Sequence, residues 1–347
     1  MNDHVRVNDA HIMQQKKTFK TTLSVNLRYG PGAMHLTLAD AIKTALKELV
    51  YCFNDFAPAV APTLPPIINR LENESQESWE IGVNTALDLM GCGVECGIDE
   101  NIRPIKPVSM IFEKVVLART ADLFIGDEFH PLDTLLRYKL SGYIGHFLFL
   151  RPDADRGRVH ETPVFLGCTP ERLFRVNEYS VMSEALAGTR PRGSDPKADA
   201  ELLADLMSSP KDMAENEITA NYILDVFDSL QSSGLLDRDS IGSSSTKSNR
   251  FVRRLKHLQH ICQQFSAKMN AGATVTSVAR QLMIKLHPTP AMCGLPVNDA
   301  LNFIQKYESF DRGFYAGPFG YISNRASDMV VSIRSGLLTQ CRPSNMR

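Results

Sequence analysis

The stretch VFLGCTPERLFRVNEYSVMSEALAGTRPRG, residues 164–193, decides the fold class. Two apolar, β-branched runs flank Thr169-Pro170 and read as strand, turn, strand; proline cannot donate to a ladder, so Pro170 marks the turn. YSVMSEALAGTRPRG (179–193) is a further strand that ends in Gly, Pro and Arg. Working outward, EKVVLART (113–120) predicts a short strand buried on both faces. FGYIS (319–323) and MVVSIRSGLL (329–338) predict two late strands, joined as a hairpin through NRAS. Helical spacing alternates with these strands. In residues 211–231, Ile218, Tyr222, Val226 and Leu230 form one stripe beside Ile223 and Phe227. WEIGVNTALDLM (79–90) places Ile81, Ala86, Leu89 and Met90 toward a core. TLADAIKTALKELVYCF (37–53) opens on a weak capping-box pattern and puts Leu38, Ile42, Leu46, Leu49 and Phe53 on one face. The regular βαβ beat of a doubly wound fold is missing. The expectation is α+β: large mixed or antiparallel sheets covered by helices.

The 347 residues carry 38 Lys plus Arg against 39 Asp plus Glu, a net charge of −1. That balance speaks against a chain-wide electrostatic hold on nucleic acid. The most apolar run, Tyr143–Leu150, is broken by His146, and the first twenty residues lack a secretory core, so no membrane span or signal is expected. A cytoplasmic monomer is the expectation. Residues 1–30 show no periodicity and read as disordered; 31–109 read as a helical, variable part, and 110–347 as the core. The Ser-rich run 240–250 reads as a surface loop. The seven cysteines are scattered; Cys92 and Cys96 have no second pair for zinc, and GCGVECG around them has no lysine for a phosphate loop.

Five places could carry chemistry. Lys114 stands at the mouth of the EKVVLART strand, either where the strand meets water or as a desolvated amine. Lowering its pKa from about 10.4 to 7–8 takes roughly 4 kcal/mol of environmental bias. Glu184, among apolar and small residues in VMSEALAG, is costly unless paired (Arg190 or Arg192 are the local partners) or protonated, and protonated it is a general acid. Asp212 and Glu215 lie i, i+3 on one helical face; this suits a hard cation, and equally suits the helix dipole. His287 precedes a proline-locked turn. Arg334 lies within an apolar strand and needs an anion. A four-residue NRAS loop would set Ser323 opposite Asp328 and project Tyr321 beside Arg334. The basic run Arg253-Arg254-Lys256-His257 reads as a solvated edge.

Eight segments, EKVVLAR, TPERLF, SEALAGTRPRG, SPKDMAEN, LQH, LHPTPAMCG, ESFDRGFYAGPFG and SIRSGLL, occur in an order that resembles the chorismate-utilising enzymes. That family includes isochorismate synthase, salicylate synthase, anthranilate synthase component I and aminodeoxychorismate synthase, and the resemblance covers about residues 110–338. Members that add water carry a lysine where Lys114 stands. Aminodeoxychorismate synthases place a nucleophilic lysine where this chain has Ala187. The pair of positions favours isochorismate synthase, with salicylate synthase as the alternative. The resemblance implies that Lys114 activates a water for attack at C2 of chorismate and that Glu184 protonates the leaving C4 hydroxyl. It also implies Mg²⁺ held in part by Glu215 with Asp212 behind it. Arg334, Tyr321, Gly188 and Thr189 would orient carboxylates, and His287 would border the ring. The family pattern continues past Arg334 with a Gly-rich turn and a helix bearing a second Mg²⁺ carboxylate. The sequence ends at CRPSNMR without either, and the insertion at 91–109 is a further departure. A C-terminally truncated core is therefore expected, with an exposed C-terminal edge for a partner; a non-catalytic relative is the other reading. Plastid residence would follow from a plant-type source.

Overall fold

A computed structural model describes residues 5–6, 12–14, 17–19, 24–25, 67–91, 111–125, 131–151, 163–237 and 250–339. The chain divides into two compact units, Met1–Ala61 and Pro62–Arg347. In the first, β1 (Val5–Arg6) pairs with β4 (Ser24–Val25), and β2 (Ile12–Gln14) with β3 (Lys17–Phe19), all within the stretch read as disordered. The helix expected over 37–53, the loop at 240–249 and the Cys92–Cys96 stretch lie outside the described residues.

The second unit is built on a six-stranded antiparallel sheet. In chain order its strands are β10 (Arg172–Asn177), β11 (Ser180–Pro191), β12 (Arg250–Arg254), β13 (Leu258–Lys268), β15 (Pro318–Ile322) and β16 (Ala326–Val331). Across the sheet they run β12-β13-β11-β10-β16-β15. Helices α4 (Pro210–Ser232) and α5 (Val275–Leu286) cover one face. Ile223, Phe227 and Leu230 of α4 and Val278, Leu282 and Leu286 of α5 share one core with Phe174, Val181, Ala185, Phe265 and Met329 of the sheet. Each fully buried Phe or Leu there contributes roughly 1.5–3 kcal/mol. The buried face of α4 is turned from the expected stripe: Val226 and Leu230 are inside, but Ile218 and Tyr222 lie at its flank. Asn216 takes the sheet-facing place, and its side-chain amide donates to Ala185 O (3.2 Å).

A three-stranded sheet, β8 (His146–Leu150), β9 (Val164–Thr169) and β17 (Ser335–Leu338), runs in the order β17-β9-β8. VFLGCTPERLFRV is strand, break, strand as expected, but the two halves enter different sheets: β9 passes through Pro170 and Glu171 into β10. MVVSIRSGLL does the same rather than forming one strand. The chain leaves β16 after Val331, turns with Arg334 in the left-handed region (φ 52°), and enters β17. The two crossings lie side by side, Cys168 N–H donating to Arg334 O (3.2 Å) and Val331 N–H to Glu171 O (3.1 Å).

Other expectations need correction. The late hairpin has a two-residue loop, Asn324-Arg325, closed by Ser323 and Ala326; Tyr321 therefore pairs with Asp328, where Ser323 was expected. In EKVVLART only β6 (Lys114–Val115) pairs, with β14 (Gly294–Leu295), and residues 114–118 are half-buried rather than buried on both faces. Side chains replace the missing ladder: Ala118 N–H donates to Glu308 Oε1 (2.8 Å), and Arg312 Nη2 donates to Val116 O (2.7 Å). In α1 (Gln76–Leu89), Ile81 is 56% exposed, because the small residues Gly82 and Ala86 take the packed side beside Leu117. Among the described residues, no helix is long and apolar enough to cross a membrane.

Candidate active site

The long strand β11 carries the first half of the site. Its ladder with β13 is interrupted between Ala187 and Thr189 by a bulge. Gly188 makes that bulge with φ +73°, and a Cβ there would sit 2.9 Å from Asp212 Cβ, so the position admits only glycine. The bulge turns Gly188 O and Thr189 Oγ1 toward His260 Nδ1 (3.3 and 3.0 Å) on β13. Arg334 Nη2 lies 2.8 Å from the other ring nitrogen. A guanidinium only donates, so Nε2 accepts, and the ring proton sits on Nδ1. Burial, then the Arg334 charge, lower His260 to about 4, which keeps the ring neutral at pH 7. His260 thus joins Arg334 to the Gly188–Thr189 bulge, three positions expected to orient carboxylates. His260 ends the LQH segment, and nothing in the sequence pattern assigned it a role.

Glu184 lies upstream of the bulge on the same strand, with its side chain 1% exposed. Neither Arg190 nor Arg192 pairs with it: Arg190 holds Asp205 and Asp212, and Arg192 holds Asp199. Its partner is Arg253 on β12, whose two Nη atoms donate to Oε1 and Oε2 (2.5 and 2.7 Å). Arg172 N–H (3.2 Å) and Gln264 Nε2 (3.4 Å) add weaker donors. Burial alone would raise this carboxyl, but the Arg253 hydrogen bonds and charge outweigh it and hold Glu184 below the usual carboxylate range. Of the two readings of Glu184, paired or protonated, this arrangement is the paired one, with Arg253 in place of the local arginines. Arg253 is likewise no solvated edge residue, because strand alternation turns it to the same side as His260.

Lys114 is placed by backbone. Glu113 N–H and Val116 N–H donate to Leu295 O and Cys293 O (2.7 and 2.8 Å). Gly294, φ +143°, leaves room for Lys114 O; a Cβ there would meet it at 2.1 Å. The ammonium bonds Glu215 Oε1 at 3.1 Å, joining the expected base to the expected metal ligand. Asp212 is buried and pairs with Arg190 (2.9 Å).

Glu171, also without a role in the sequence reading, sits at the first strand crossing and is 4% exposed. Among the described residues, no hydrogen bond or ion pair reaches its carboxyl. Burial first, then the charge of Glu184, raise it to about 8, against the opposing charges of Lys114, Arg334 and Arg253. Its signal was local: a glutamate between Pro170 and an apolar run. His287 caps α5 at its C-terminal end, with its pKa lowered by burial. Tyr321 is 44% exposed on the edge strand β15. Among the described residues, no hydrogen bond joins either side chain to the other expected site residues. Nor does any group of three potential metal ligands gather among the described residues.

These observations define an α+β protein that brings a lysine, two buried carboxyls and two arginines together where two strands change sheets. The chain belongs to the chorismate binding enzyme family, whose model matches residues 4–344. A chloroplastic isochorismate synthase of Catharanthus roseus is 32% identical over 310 residues, 88% of this chain and 47% of that protein. The chloroplastic isochorismate synthase 2 of Arabidopsis thaliana is 34% identical over 272 residues, 78% of this chain and 42% of that protein. The chain therefore spans less than half the length of these curated relatives. The structure of MenF, the menaquinone-specific isochorismate synthase of Escherichia coli, superposes with a TM-score of 0.63 at 25% identity, over 92% of this chain and 64% of that one.

Proposed function

We propose that this chain carries the acid–base machinery of an isochorismate synthase, which converts chorismate to isochorismate by adding water at C2 and expelling the C4 hydroxyl. The observation that carries the reading is a lysine at 114 on a fixed backbone, combined with alanine at 187, where an amine nucleophile would otherwise stand. Water is a poor nucleophile and needs a base, and Lys114 is the group assigned to take its proton. Glu184, sealed from water, is the group to protonate the departing hydroxyl, once it has itself gained a proton. The Arg334–His260–Gly188 chain is suited to an anionic group of the substrate, since His260 pins the guanidinium while leaving its charge uncompensated.

The resemblance implies Mg²⁺. A hard cation takes about six oxygen ligands, and Glu215 offers one carboxylate that already holds Lys114. The described residues do not by themselves make up that site, so no step here passes through a metal. Asp212, tied to Arg190, is a support for Gly188 rather than a ligand.

The test is incubation of the purified chain with chorismate and Mg²⁺, with products separated by HPLC. Isochorismate is expected; salicylate would identify the alternative activity. Lys114→Ala and Glu184→Gln should each lose at least ~10²-fold in turnover. Rates like the wild type in both variants would end the assignment.

A further inference from the structure

Three arginines of the main sheet are held by carboxylates: Arg172 by Asp328 (2.9 Å), Arg190 by Asp212 (2.9 Å) and Arg253 by Glu184. Each of those positive charges is answered within the protein. Arg334 is held differently. Among the described residues no carboxylate pairs with it, and its guanidinium bonds one side chain, the His260 ring, Nη2 to Nε2 at 2.8 Å. Its backbone is fixed independently, with φ 52° and its carbonyl accepting from Cys168 N–H (3.2 Å). Burial works against the charge, and Cys168, Glu171 and Tyr143 act on it only through space. The ring in turn is kept neutral by its neighbours. Nδ1–H points to Gly188 O and Thr189 Oγ1, and a second proton, on Nε2, would face a group that only donates. It would also set two cations against each other at a residue 6% exposed, with Arg253 opposite on β12.

We propose that His260 sets the anion selectivity of this site: a neutral ring orients Arg334 and leaves its charge for a carboxylate of the substrate. A glutamate in that place would orient the guanidinium as well and cancel its charge, as Asp328 does for Arg172. The ligand class is a six-membered ring that bears an ionised carboxyl. A neutral amide of the same shape is refused, because it leaves the half-buried guanidinium without an anion. His260 is a positioning residue that acts through Arg334. The inference deepens the proposed function and rests on it for the identity of the anion, but the selectivity itself can be measured without turnover.

The test is calorimetric titration of the full chain at pH 7.5 with isophthalate, a ring dianion with no bond to break, and with isophthalamide as its neutral counterpart. The wild type should bind isophthalate and discriminate against isophthalamide. His260→Gln and His260→Glu have one shape and differ in charge. His260→Gln, which can still accept from Arg334, should weaken isophthalate by no more than about tenfold. His260→Glu should weaken it by about 10²-fold, because the anion then meets a guanidinium already paired. Isophthalamide should not distinguish the two variants. A merely structural histidine would not separate glutamine from glutamate in this way. Should His260→Glu fail to fold, His260→Leu replaces it: the guanidinium loses its hold, and isophthalate should bind at least about tenfold more weakly than to His260→Gln. Equal affinities in the variants compared, or a wild type that binds the diamide as well as the dianion, overturn the proposal. If the wild type selects isophthalate as expected but leaves chorismate unchanged, the functional reading fails and the role of His260 stands.

Discussion

Replacing Glu171 by glutamine should make the protein more stable, by an amount that grows with pH. In the folded chain this carboxyl is raised to about 8 from an ordinary 4.5, chiefly by burial. The sign follows from linkage. Between those two values the folded state binds a proton that the unfolded chain has released, so stability falls as pH rises. The full contribution is present below pH 4.5 and is lost as pH climbs through about 8. Each pH unit in that window corresponds to about 1.4 kcal/mol, so at pH 7 the penalty is on the order of 3 kcal/mol. Glutamine has nearly the same shape, carries no ionisable proton and leaves Arg253 with Glu184. Denaturant unfolding of the wild type and Glu171→Gln at intervals from pH 5 to 9 would measure the difference directly. Curves that converge near pH 5 and separate by a few kcal/mol above pH 7 are expected. Parallel curves would mean that burial does not hold a proton on Glu171 in the folded protein.

His260 should give the opposite slope, with stability lost as pH falls from about 6.5 to about 4, and His260→Gln should flatten that limb in the same unfolding series. Gly294→Ala forces a methyl into the space of Lys114 O, where 2.1 Å is available; displacing that backbone by about 1 Å should cost on the order of 10²-fold in chorismate turnover, while circular dichroism stays near the wild type. Arg312→Met strands the buried Glu308 carboxylate and frees Val116 O and Met292 O. Thermal denaturation should register a loss of about 3–5 kcal/mol, and Glu308→Gln in the same background should return part of it.

The α+β class, the break at Pro170 and the strand through Glu184 were legible because they depend on local alternation and on proline chemistry. The segregation of VFLGCT and RLFRVN into separate sheets was not, since a strand's partner is chosen by distant sequence. Glu171 shows the consequence: next to a proline it looks like an ordinary turn glutamate, and only the double crossing buries it. Arg253 looked solvated within a basic run, although its place two residues from Phe251, on the same strand face, was a usable clue once Glu184 was known to need a cation. Arg334 was placed in a continuous strand because the rest of VVSIRSGLL is apolar or small, and nothing in that pattern encodes a left-handed residue. Lys114 was singled out by its place at the mouth of an apolar run, but its anchoring comes from Gly294, Glu308 and Arg312, remote in sequence and joined to it only in the folded chain.

The paired crossings also bear on how the molecule comes apart. Two polypeptide strands are each shared by both sheets, so neither sheet can melt alone without dragging a covalently attached length of the other out of its ladder. Glu171 and Arg334 ride on those shared lengths. Unfolding of this unit should therefore be cooperative, and its chemistry should vanish in the same transition as its structure.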